Sequence, residues 1–107
     1  MIDSPAPERA GTITERHMIS FQEFEAQARA RGFDEILERR WPPGTQTQTH
    51  AHPFAVEGLL VGGAMWLTFG SDTRELQPGD SFEVAPEVSH AERYGSDGAV
   101  VWVARRH

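Results

Sequence analysis

The chain has no cysteine. That removes disulfides and thiolate metal ligands, and it fits a reducing compartment. Long hydrophobic runs are missing too. The longest stretch free of both charged residues and histidine, Gly58 to Ser71, is shorter than the ~20 apolar residues a membrane helix needs, and Gly62-Gly63 divides it. Basic residues are in the minority, 10 against 16 acidic, for a formal charge of −6. A nucleic-acid partner requires a clustered basic surface. The largest basic grouping, Arg29, Arg31, Arg39 and Arg40, is interleaved with acids and reads as a solvated face. The stretch from Met1 to Gly11 has neither a basic start nor an apolar core, so no secretory signal is read there. These absences predict a soluble cytoplasmic protein with no nucleic-acid or membrane partner.

A length of 107 residues fits one domain with one hydrophobic core. The hydrophobic fraction of 38% is low for a helical bundle and suits a small sheet protein with one wet face. Residues 1–15 carry Pro5, Pro7 and Gly11 among small and charged residues, and are expected to form a flexible arm before a domain over 16–107. Ser20 followed by Glu23 forms a capping box, Phe21, Phe24 and Ala28 recur at helical spacing, and Gly32 supplies a stop. The spacing predicts a helix over 20–31, polar round most of its circumference, packed on the outside of something larger. Beyond Gly32, proline and glycine clusters separate short runs rich in Val, Leu, Phe, Thr and Trp. Strands are predicted near 45–50, 56–61, 64–69, 73–76, 81–84, 89–94 and 99–104, the pattern of an all-β sandwich or barrel. Phe33, Ile36, Leu37 and Trp41 are spaced like a helix face, but the all-β context favours a strand over 33–41.

Three of the five histidines fall in two short windows. In the first, side chains two apart on a strand share a face. Gln46, Gln48, His50 and His52 would then line one side, and Thr45, Thr47, Thr49 and Ala51 the other. Paired imidazoles from one strand can reach a common metal ion. Glu57 has the wrong parity for an unbroken strand, but a bend at Pro53 would return it to the same side. In the second window Gly79-Asp80 makes a tight turn, and His90 opens a later strand after Pro86.

Together the windows resemble the cupin superfamily. Its first motif runs Gly, five residues, His-x-His, three or four residues, Glu, six residues, Gly. Gly44, His50, His52 and Glu57 match, and the closing glycine is one position early at Gly63. Its second motif runs Gly, five residues, Pro-x-Gly, two residues, His, three residues, Asn. Gly79 and His90 stand at the full separation, whereas Pro86 is displaced by one, Val88 stands about where a glycine is expected, and Tyr94 replaces the asparagine.

The resemblance implies an all-β double-stranded β-helix, or jelly-roll barrel, with one short N-terminal helix. It implies one divalent metal ion inside, held by His50, His52, Glu57 and His90. Such ligands suit Fe, Mn, Zn, Ni or Cu. Two functions follow: a metal-dependent enzyme on a small molecule, of dioxygenase, isomerase or lyase type, or a non-catalytic small-molecule-binding or regulatory cupin whose metal is structural or absent. Glu92 and Tyr94 share the strand parity of His90 and are the candidate catalytic or supporting residues. Phe54, Trp66, Phe69, Phe82 and Trp102 are the aromatic residues expected in the barrel, and family precedent implies a homodimer. Replacing His52 with Ala should abolish metal binding, measured as bound metal in the purified protein. Binding should fade below about pH 6, where imidazole ligands in general take up protons.

Overall fold

A computed structural model describes residues 18–107. The arm expected over 1–15 lies outside the described residues. Helix α1 spans Phe21–Ala30, and its capping box is complete: Ser20 Oγ accepts from the Glu23 N–H at 3.1 Å, while the Glu23 carboxylate accepts from the Ser20 N–H at 2.8 Å. The strands are β1 (Glu35–Trp41), β2 (Ala55–Phe69), β3 (Asp72–Leu76), β4 (Ser81–Val84) and β5 (Ala91–Arg106). All pairings are antiparallel, in the order β1-β5-β2-β3, with β4 also on β2. The 33–41 segment is thus a strand, and α1 packs on the outside, as expected.

Two expected pairs of strands are fused. Runs 56–61 and 64–69 form the single strand β2, and 89–94 and 99–104 fall along β5. The fused strands bend instead of breaking, because register shifts occur between Leu60 and Gly62 and between Gly63 and Met65. The irregular stretch between Leu60 and Met65 offsets the side-chain alternation once. Before it, Val56 and Leu60 face the barrel interior while Ala55 and Leu59 face α1; after it, Met65 and Leu67 take the interior. Gly63 makes the bend feasible. Its φ is +82°, and a Cβ there would stand 2.1 Å from the Gly98 carbonyl oxygen.

The sheet therefore buries apolar side chains on both faces, which departs from the single core expected from length. One cluster fills the barrel, with Leu60, Met65, Leu67, Leu76 and Val101 almost wholly enclosed. The other lies between α1 and the outer face, where the Phe21 and Phe24 rings pack against Trp102 at 5.4 and 5.9 Å. The Trp102 indole N–H donates to Glu38 at 2.9 Å. That bond, and then Arg40, holds the Glu38 carboxyl below the usual carboxylate range.

Segment 45–50 also departs from expectation. It is a strand only at two isolated bridges, Gln46 with Arg93 and His50 with His90. Among the described residues no helix is long and apolar enough to cross a membrane.

Gly63→Ala should lower stability by about 2–3 kcal/mol, through positive φ and overlap with backbone. Gly62→Ala should change it by less than about 1 kcal/mol, because a Cβ at Gly62 meets nothing within 4 Å. Urea midpoints of the two variants check the contrast.

Candidate metal centre

His50, His52 and His90 converge in the barrel, each offering one ring nitrogen within 4.8 Å of those of the other two. Main-chain carbonyls orient all three rings. Nδ1 of His50 donates to the Gln48 carbonyl at 2.7 Å, that of His52 to Phe54 at 3.2 Å, and that of His90 to Val88 at 2.9 Å. A carbonyl oxygen only accepts, so each Nδ1 carries a proton and Nε2 is the ring nitrogen left to face a metal. This is the tautomer a metal requires.

The two histidine windows are also tied through the backbone. His50 and His90 exchange both N–H to carbonyl bonds at 2.9 Å, and the Glu87 N–H donates to the His52 carbonyl at 2.8 Å. Glu87 adopts φ +66° to make that turn.

A carboxylate, that of Glu92, stands beside two of the three rings. Its Oε2 lies 3.1 Å from His90 Nε2 and 3.8 Å from His50 Nε2. His90 is 2% exposed. With the His90 Nδ1 committed to a carbonyl, a neutral ring would set a lone pair against a carboxylate oxygen. Two acceptors at that distance repel unless a proton or a cation lies between them. The three imidazole nitrogens suit a divalent ion of the borderline class, and the carboxylate beside His90 and His50 adds negative charge next to them.

Glu57 is not brought to this group. The chain bends at Pro53 and Phe54, as the sequence suggested, but β2 begins at Ala55 and its pleat then fixes the faces. Val56 turns inward and Glu57 outward, opposite Ala104 in the helix-side cluster, where it forms an ion pair with Arg31. The predicted alternation over 46–52 is corrected as well. Thr47, assigned to the far side, joins the histidines in lining the cavity, since the segment is not a continuous strand. Its hydroxyl accepts from the Glu92 N–H at 2.9 Å.

The histidines open onto a cavity of about 160 Å³ with an apolar floor that includes Met65, Val101 and Val103. Phe54 and Phe82 line it as expected, and Phe69 packs with the interior cluster. Trp66 and Trp102 do not line it: Trp66 lies under Arg93 at 4.0 Å, and Trp102 under α1. Tyr94 does line it, stacked on Trp41 at 4.7 Å and 9°. Burial raises the Tyr94 phenol well above its ordinary range, and the Glu92 carboxylate adds to this, so the phenol stays protonated. Sequence reasoning missed Trp41 as a cavity residue, and it placed Arg39 on a solvated face when Arg39 lines the cavity. The signal for both was the alternation Leu37, Arg39, Trp41 along β1, which puts them on one side.

An antiparallel sheet curled round three imidazoles and a carboxylate defines a barrel protein that could hold a metal ion. The chain belongs to the cupin family: the family model described as "Cupin domain" matches residues 37–104. It is 35% identical over 72 residues to the H2HPP isomerase of Bacillus subtilis, a match covering 66% of this chain and 30% of that protein. This chain thus spans about a third of that relative's length. An RmlC-like cupin from Shewanella frigidimarina superposes with a TM-score of 0.61 at 21% identity, covering 71% of this chain and 68% of that one. A mutant of Bacillus subtilis oxalate decarboxylase gives 0.61 at 17% identity, covering 66% and 20%. At those identities the two structures bear on the fold alone.

Glu57→Gln should leave metal content unchanged and cost at most about 1 kcal/mol, since its ion pair is partly solvated. Glu92→Gln should weaken metal affinity by roughly tenfold or more. Competition with a chromophoric chelator measures both.

Proposed function

We propose that this chain is a metal-dependent enzyme acting on a small molecule in the barrel cavity, with His50, His52, His90 and Glu92 as the metal ligands. The observation that carries this reading is the set of Nδ1-to-carbonyl bonds, at 2.7, 3.2 and 2.9 Å, which leaves one lone pair per ring for an ion. Fe, Mn, Zn, Ni or Cu would suit this donor set, and such an ion supplies Lewis-acid polarisation of a substrate oxygen.

The chain's own residues do the rest. The apolar floor excludes water from the body of the substrate. The Tyr94 phenol, kept protonated by burial, is a hydrogen-bond donor at its Oη. A cavity of about 160 Å³ is close to the roughly 150 Å³ of a protein cavity that holds benzene, so the substrate is a single ring or a short chain. An isomerase-type reaction is supported by the likeness to H2HPP isomerase.

Chelator-stripped protein loaded with each of these ions should take up one per chain by elemental analysis. Loaded protein should turn over small hydroxylated or carbonyl compounds, followed by NMR, and stripped protein should not. Failure to take up any ion, or turnover indifferent to stripping, overturns the reading.

A further inference from the structure

Inward positions on β1 and β5 are apolar at Leu37, Trp41, Val101 and Val103, yet two arginines interrupt them. Arg105 already has company: its guanidinium lies 3.5 Å from Glu35 and over the Phe54 ring at 5.3 Å. Arg39 differs. It is half-buried and lines the cavity, and among the described residues the carboxylates around it are engaged elsewhere. Glu38 is held by Arg40 and Trp102, Glu92 faces His90, and Glu35 faces Arg105 and His107.

The Arg39 guanidinium is also held in place. It lies 4.4 Å over the Trp41 ring, and Trp41 is fixed by its stack on Tyr94. A guanidinium lying over a ring still donates in its own plane, the geometry that meets a carboxylate with two parallel bonds. Arg39 is opposite Val101 in the ladder, so the apolar floor begins at its foot. With a divalent ion at the histidines, the cavity would be net positive and would draw in anions.

We propose that Arg39 anchors a carboxylate of the substrate, so that the substrates are small carboxylic acids whose short apolar body lies over Val101 and Val103 and whose reacting end faces the histidines. This rests on the reading of the cavity as a substrate site, but the binding it requires does not depend on turnover. Burial strengthens the charge-assisted pair, and an amide of the same shape cannot replace the anion.

Benzoate and its neutral counterpart benzamide test it by isothermal titration calorimetry, on chelator-stripped and on zinc-loaded protein. Benzoate should bind at least tenfold more tightly than benzamide in both forms. Arg39→Met should erase that difference, Arg39→Lys should retain part of it, and Arg40→Met, which removes an exposed charge from the same strand, should leave it intact. Equal binding of the two probes, no benzoate binding at all, or benzoate binding that survives in Arg39→Met would overturn the proposal. Survival only in the zinc-loaded form would mean that the ion takes the carboxylate. Because stripped protein is included, a failure of metal uptake is read separately from a failure at Arg39.

Discussion

The long ladder between β2 and β5 carries both the interior cluster and the cluster under α1. Such strands, of 15 and 16 residues, would make one long twisted ribbon with fixed faces if their pleat ran unbroken. The register shifts around Gly62 and Gly63 bend them and exchange their faces. One strand pair then serves two purposes: its N-terminal part in β2 seats the helix with Ala55 and Leu59, and its later part closes over the barrel with Met65 and Leu67. The close approach of Gly63 to Gly98 is the geometric condition for this exchange.

The same pleat decides the chemistry of the site. Two carboxylates compete on sequence grounds for the place beside the histidines, and the face each strand presents settles it. Glu57 falls on the helix side and is neutralised by Arg31. Glu92, two positions beyond His90, falls on the interior side with Oε2 at 3.1 Å from the buried imidazole. Placing an acidic oxygen against a ring whose other nitrogen is already committed gives the centre its demand for positive charge.

Much of this was legible before any coordinates, for a local reason. The His50-x-His52 spacing and the capping box at Ser20 are short-range features and appear as read, and His90 joins them as the motif resemblance implies. The parity of Glu92 and Tyr94 with His90 was readable for the same reason. Glu57 could not be placed from spacing, because one residue's difference in where β2 begins reverses its face. Segment 45–50 looked like a strand because its composition is strand-like, but the partners it finds allow only two bridges. Arg39 looked like surface because its neighbours in sequence are charged, while its true neighbours, Trp41 and Tyr94, come together through pairing across the sheet.

Ring orientation at the centre is delegated to the carbonyls of Gln48, Phe54 and Val88. No side-chain replacement at those three positions deletes the acceptor, so the locked imidazole tautomers are insulated from genetic drift there. Variation around the rim can reshape what enters the barrel while the coordination chemistry beneath stays as it is.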